Sequence, residues 1–262
     1  MSRTYKILLA TLLVGGLLFV LPQWLNNTNA EGEQETTSTL NYVLEWDWGE
    51  ATTLADNAGW QLTNDLGYII TIADGYLISY SVELIACDND FTNDPLGTLY
   101  DAIMPASAAA GHGDEPDPSR LAEPVIESLN NPQSISTEPV ELTGTTYCWG
   151  HYLIGSSAAS ENYDATNNEA SLFLAGTYQT ADSTEGIPFE IESDIAWGNI
   201  VEITELDNAI EMVTAGEDVT LSITRELDSM FNSLDFNAME SDEQARTVLR
   251  NLTQTTTITV VE

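Results

Sequence analysis

The chain has almost no positive charge. Its 262 residues include 42 Asp and Glu but only six Lys and Arg. Beyond residue 30 there is no lysine, and the basic residues are four arginines: Arg120, Arg225, Arg246 and Arg250. A surface with charge of one sign repels nucleic acid and anionic lipid, so nucleic acid is excluded as a partner. The same surface attracts cations and stays soluble at high ionic strength.

The common catalytic motifs are also missing. The sequence has no Gly-x-Ser-x-Gly elbow, no phosphate-binding Gly-rich loop, no dinucleotide fingerprint and no His-Glu-x-x-His motif. A catalytic carboxylate pair cannot be singled out among 42 acidic residues, so a glycosidase is neither favoured nor excluded. We therefore expect a protein that is not an enzyme.

The N-terminus has the pattern of an export signal. Arg3 and Lys6 precede an apolar run from Ile7 to Val20, and Thr28–Ala30 offers the small residues that a signal peptidase reads. We expect residues 1–30 to be cleaved as a signal peptide or, since the run is close to membrane-spanning length, retained as an anchor. Either outcome predicts a periplasmic or extracellular protein.

Alternating apolar and polar residues predict a β protein. Residues 31–40 are polar and acidic, which favours a flexible spacer, and residues 41–262 are expected to form one domain. Residues 76–85 and 219–224 alternate with the period of a half-buried strand, and Ala73–Gly75 suggests a turn. The fold class that we predict is all-β, an antiparallel β-sandwich with one short helix near the C-terminus.

The single well-marked helix follows Ser241. Ser241 and Gln244 have the spacing of a capping box. Apolar or small residues then recur at helical spacing, which predicts a buried face made of Ala245, Val248, Leu249 and Leu252.

Cysteine and histidine each occur only twice, and they occur together. His151 lies three residues after Cys148, while Cys87 and His112 bracket a loop rich in Ala and Gly. Two cysteines in an exported protein most simply pair, which predicts a Cys87–Cys148 disulfide. That bond would bring His112 and His151 to the same end of the molecule. Imidazole is the commonest protein ligand for copper and zinc, so we predict a small metal site there.

Neighbouring residues suggest which metal the two histidines bind. Asp114 and Glu115 follow His112 and can add oxygen ligands or orient its ring. Met104 lies in the same loop and supplies a soft thioether. Two imidazoles are too few for structural zinc, whereas copper(I) accepts low coordination, so copper is the expected cofactor. Binding should weaken as pH falls through the usual histidine pKa, near 6.5.

Two other functions remain open from the residues alone. The sequence Trp46-Asp47-Trp48 suggests a carbohydrate-binding module if the two rings are exposed and coplanar, and a core role if they are not. An acidic structural or interaction module on the cell surface, without a metal site, is the other alternative.

Several stretches resemble the secreted MbnP-like proteins, the copper-binding partners of methanobactin operons. They are Gly67–Leu84, the His112 loop running into Ser119–Pro124, Tyr147-Cys148, Ser171–Tyr178, and Met230–Phe236 with Asn251-Leu252. The resemblance implies an exported all-β scaffold that binds copper through histidines and, in some members, an oxidised tryptophan. It assigns ligand roles to His112 and His151, places Trp149 beside the metal, and suggests transfer to another exported or membrane protein. This chain differs in having one histidine in a loop where relatives often have several.

Overall fold

Strands form most of the described part of the protein. The computed structural model describes residues 37–55, 58–87, 119–121, 123–143, 146–156, 170–180, 183, 185–204, 213–214 and 218–261. The strands in these ranges are β1 (Thr37–Asp47), β2 (Thr52–Thr53), β3 (Trp60–Thr63), β4 (Ile69–Ala86), β5 (Val125–Ser128), β6 (Ile135–Ser136), β7 (Val140–Thr143), β8 (Thr146–Ile154), β9 (Leu172–Gln179), β10 (Ile187–Ser193), β11 (Trp197–Thr204), β12 (Val213–Thr214), β13 (Val219–Glu226) and β14 (Thr257–Val261).

Nine of the described strands form one continuous hydrogen-bonded path that folds over on itself like a sandwich, and β2, β3, β5, β7 and β12 pair alongside it. Its order is β10-β9-β4-β8-β11-β14-β13-β1-β6. Strand β11 makes the corner, because Trp197–Glu202 pair with β8 whereas Ile203 and Thr204 pair with β14. The predicted all-β fold is confirmed.

The sheet is mixed, which differs from the antiparallel arrangement that we predicted. Strand β1 runs parallel to β13, and β11 runs parallel to β14, while the other pairs of described strands are antiparallel. A tight hairpin forces its two strands to be antiparallel, but β1 and β13 are distant in sequence and no hairpin constrains them.

Alternation along the strands determines which side chains fill the core. Leu40, Tyr42 and Leu44 of β1 are fully buried, as are Leu221 and Ile223 of the adjacent β13. Burying one such side chain contributes roughly 1.5–3 kcal/mol. Strand β1 begins at Thr37, earlier than residue 41, where the sequence placed the start of the domain.

Strand β4 passes straight through the turn predicted at Ala73–Gly75. Its pairing with β9 shifts in register between Ile72 and Asp74, so the irregularity is a bulge and the turn prediction is wrong. A Cβ at Gly75 would lie 2.7 Å from the backbone oxygen of Phe173. Glycine is therefore required by the close approach of β9, which explains the turn-like sequence.

The described helix, α1, spans Ser241–Gln254 and begins differently from the prediction. Glu240 occupies the N-cap position and makes no side-chain capping bond. Gln244 donates from Nε2 to the backbone oxygen of Met239 at 2.9 Å, so the predicted capping box is wrong. The predicted buried face is confirmed by Ala245, Val248, Leu249 and Leu252. Within the described residues, no helix has both the length and the apolar character needed to cross a bilayer.

Candidate functional site

The predicted disulfide joins two neighbouring strands. Cys87 immediately follows β4, and Cys148 lies in β8, with an S–S distance of 2.02 Å and a Cα–Cα distance of 4.9 Å. The backbone N–H of Cys87 also donates to the oxygen of Thr146 at 3.0 Å. The bond therefore fixes the end of β4 to the strand that carries His151, as predicted.

His151 occupies the middle of the sheet. Strand β8 lies between β4 and β11, where His151 is directly opposite Glu83 on one side and Ile200 on the other. The next residue, Tyr152, is fully buried and turns toward the interior between the sheets. Because side chains alternate along a strand, His151 faces the opposite side of the sheet from Tyr152.

The imidazole of His151 is buried and has a ring nitrogen without a partner. The residue is 8% exposed, and its Nε2 forms no hydrogen bond with any described residue. Buried polar atoms almost always find a partner, so an unpaired nitrogen here needs an explanation. Burial, followed by the positive charge of Arg120, lowers the pKa of His151 from 6.5 to about 4. The ring therefore stays neutral at physiological pH and keeps a lone pair available.

Gly198 packs closely against that nitrogen. A Cβ at Gly198 would lie 2.8 Å from His151 Nε2 and 2.9 Å from the backbone oxygen of Tyr152. Any other residue would therefore press on the imidazole and on the backbone of β8. Gly198 could not be selected from the sequence, because its importance follows from the pairing of β11 with β8.

Arg120 is a second residue that the sequence analysis did not assign to the site. The backbone N–H of Leu121 donates to the oxygen of Val82 at 3.0 Å, which places the 119–121 segment alongside β4. The guanidinium of Arg120 lies over the ring of Tyr80, 5.6 Å from its centroid. Its charge is the second cause of the lowered pKa of His151, after burial.

The other predicted ligands lie outside the described residues. These are His112 and Met104, together with Asp114 and Glu115. Trp149 is described, is half-buried and pairs with Ile85 and Glu202 on the neighbouring strands. Within the described ranges, no three His, Cys, Asp or Glu side chains are grouped so that they could hold a metal ion.

The tryptophans that suggested carbohydrate binding pack against the core. Trp46 and Trp48 are both partly buried. Trp46 donates from Nε1 to Glu127 at 3.1 Å, and its ring lies under the guanidinium of Arg225. Trp48 meets Trp60 edge to face, with centroids 6.3 Å apart. These contacts match the core role and not the exposed pair that a stacking platform needs.

A buried polar network is the most distinctive feature between the sheets. Arg225 and Glu127 form an ion pair with exposures of 0% and 1%. Ser79 donates to Glu127 at 2.6 Å and shares a 2.7 Å hydrogen bond with Tyr152, while Trp46 stacks 4.3 Å from Arg225. Burial opposes the charge of Arg225, but Glu127 and then Tyr152 hold its pKa above the usual value, so it remains charged.

The sequence contained a signal for this network. In β13, Arg225 continues the series Leu221 and Ile223, so alternation alone places it on the buried face. In the same way, Glu127 lies between Val125 and the buried Leu129. A charged residue in phase with an apolar series predicts a buried ionic partner.

The candidate site can therefore be defined only from its own geometry. It consists of the buried His151, Gly198 packed against its Nε2, the nearby charge of Arg120 and the disulfide that joins β8 to the end of β4. Compared with known proteins, the chain matches no protein-family model, no curated protein and no solved structure.

Proposed function

We propose that the protein is an exported copper-binding protein that sequesters the metal or transfers it, without catalytic turnover. The observation that carries the proposal is the unpaired Nε2 of His151, a buried nitrogen on the strand that the disulfide holds to β4. A neutral imidazole with a free lone pair is a good ligand for copper. The low pKa of His151, about 4, favours this form well below neutral pH.

The remaining ligands in this proposal come from the loop that contains His112. His112 would supply a second nitrogen and Met104 a soft sulfur, while Asp114 and Glu115 orient the ring of His112. The Cys87–Cys148 bond supports this arrangement, because the loop begins directly after Cys87. Trp149 lies two residues before His151 on the same strand and contributes bulk beside the metal.

The setting of the site favours transfer of a metal over chemistry on a substrate. The N-terminal sequence of Arg3, Lys6 and the apolar run that follows supports export to the periplasm or the exterior, with or without an anchor. Copper that is transferred from there needs an acceptor, so the partner in this proposal is another exported or membrane protein. The acidic surface attracts the cation over a long range.

Copper titration of matched variants tests the proposal. We expect His151→Gln to lose most of the copper affinity of the mature protein, whereas Glu190→Gln, which removes one exposed carboxylate from β10, should bind as the parent does. Gly198→Ala keeps the imidazole but places a methyl group 2.8 Å from Nε2, so it should also weaken binding. Equal affinity in the parent and His151→Gln would show that carboxylates bind copper without a site.

A further inference from the structure

Cys148 lies at a break in the pairing of β8 with its neighbours. Ala86 of β4 lies opposite Tyr147, and the preceding Ile85 lies opposite Trp149, so Cys148 is the extra residue of a β-bulge. On the other side of β8, the pairing with β11 reaches only to Trp149, and β12 takes over at Tyr147. Within β8, Cys148 is therefore the one residue that has no described register partner on either neighbouring strand.

The disulfide takes the place of the backbone pairing that is missing at this break. Beyond Cys148, the end of β8 consists of Thr146 and Tyr147. It is held by one register pair with β4, by two with β12, and by the hydrogen bond from the N–H of Cys87 to the oxygen of Thr146. So few backbone contacts stabilise a strand end only weakly. We therefore expect this end to open before the rest of β8 if the bond to Cys87 is lost.

The opening would be local, because the pairing is continuous on the other side of the break. From Trp149 to Leu153, β8 pairs with β4 and β11 without interruption, and Tyr152 in this stretch is fully buried. At the weak end, Tyr147 and Val213 are only 6% and 3% exposed and belong to the core. Opening of this end would therefore bring two core side chains to the surface while the centre of the sheet stays closed.

We propose that the Cys87–Cys148 bond is a redox latch, which holds the end of β8 and β12 in place when oxidised and releases them when reduced. Both cysteines are half-buried, so a reductant can reach the bond. The reductant in this proposal is a dithiol, of the class found in thiol–disulfide exchange proteins. The latch is independent of the proposed metal function, since it needs no ligand.

The exchange reaction balances as a two-electron transfer. A thiolate of the dithiol attacks one sulfur of the bridge, forms a mixed disulfide and displaces the other cysteine as a thiolate. The second thiol of the dithiol then displaces the remaining cysteine. The dithiol becomes a disulfide, and Cys87 and Cys148 each receive one electron and one proton. The chain has no third cysteine that could form a different bond.

Deletion of the bulged residue gives a variant that should need no latch. Without Cys148, Trp149 would follow Tyr147 directly, just as Ile85 directly precedes Ala86 on β4. The pairing would then be continuous through the break. We expect the deletion, combined with Cys87→Ala, to keep the end of β8 closed without any disulfide. Its matched control is Cys87→Ala with Cys148→Ala, which also lacks the bond but retains the bulge.

Hydrogen exchange followed by mass spectrometry tests the latch in the mature protein. The oxidised parent is compared with the parent in dithiothreitol and after reoxidation. We expect reduction to raise exchange in segments 84–87 and 146–149 about tenfold more than in segments 150–154 and 197–202, and reoxidation to reverse the change. The double alanine variant should exchange like the reduced parent, and the deletion variant like the oxidised parent.

Three results would overturn the proposal. The first is a bond that dithiothreitol does not reduce in the folded protein. The second is exchange that is unchanged by reduction, or that rises equally in all four segments, because the disulfide would then stabilise the whole domain and not one end of a strand. The third is a folded deletion variant that exchanges as fast as the double alanine variant. If the deletion variant does not fold, the reduction of the parent decides the question alone.

Discussion

Arg225 of β13 and Glu127 of β5 form an ion pair that is almost completely buried between the sheets. Tyr152 and Ser79 surround it with hydrogen bonds, and Trp46 covers the guanidinium. Removing one residue of such a pair destabilises the protein far more than replacing both residues with apolar ones, because the remaining charge is left buried without a partner. The pair therefore links β13 to β5 with a strong requirement for both residues.

We predict that Glu127→Leu destabilises the protein by about 3 to 5 kcal/mol, because Arg225 is left charged and unpaired in the core. The double variant Arg225→Met with Glu127→Leu should recover most of that loss. Denaturant unfolding of the parent, the single variant and the double variant measures both values. A double variant as unstable as the single one would show that the charges are not what couples the two positions.

The disulfide gives a second stability prediction. Cys87 and Cys148 are separated by 61 residues, and closing a loop of that length stabilises a protein by about 4 kcal/mol in the chain-entropy model. Cys87→Ala with Cys148→Ala should therefore lower the free energy of unfolding by roughly 2 to 5 kcal/mol. Mass spectrometry of the unreduced protein should find no free thiol. Two alkylatable cysteines in freshly exported material would contradict the bond.

Salt should stabilise the protein. The formal net charge is −36, so the folded state suffers from repulsion that ions screen. We expect the thermal midpoint to rise between low and molar sodium chloride. A variant with exposed carboxylates changed to amides, at Glu50, Glu138, Glu141 and Glu190, should show a smaller rise. A midpoint that stays flat or falls in the parent would contradict this prediction.

The buried imidazole makes stability depend on pH in a defined window. His151 has a pKa of about 4 in the folded protein and about 6.5 when unfolded, so between these values the unfolded state binds more protons. Stability that is fully present above pH 6.5 should decrease as pH falls toward 4, by roughly 3 kcal/mol in total.

The variant His151→Gln separates the titration of this imidazole from the titration of other groups. Carboxylates also gain protons at low pH, and they do so in the parent and in His151→Gln alike. The difference in unfolding free energy between the two proteins should therefore change between pH 6.5 and 4 and be constant above pH 7. A difference that does not vary with pH would mean that the imidazole is not held neutral by burial. For copper, the same pKa moves proton competition at His151 below the value near 6.5 that the sequence suggested.

Much of the fold could be predicted because alternation is a local property. The buried face of α1 and strands such as Leu172–Gln179 follow directly from periodic apolar residues. The parallel pairing of β1 with β13 could not be predicted, because it joins distant segments. The bulge near Gly75 was predicted as a turn for a related reason. Glycine is common in both turns and bulges, and only the position of the neighbouring strand β9 distinguishes the two.

The candidate site, like the fold, could be predicted from the sequence only in part. The disulfide and the choice of His151 followed from composition alone, because the chain has only two residues of each type. Gly198 and Arg120 could not be selected from the sequence. Each acts across a strand boundary, so only the strand register shows that Gly198 of β11 contacts the imidazole and that Arg120 lies on the far side of β4 from it.

The measurement that tests the central claim most directly is anaerobic copper(I) titration of the parent, His151→Gln, His112→Gln and Glu190→Gln. The account predicts one tight equivalent in the parent and in Glu190→Gln, and a loss of most of that affinity in each histidine variant. The two histidine variants should fail alike, because in the proposed site both nitrogens bind the same ion. Copper binding that is the same in all four proteins would contradict the claim and assign the metal to the acidic surface.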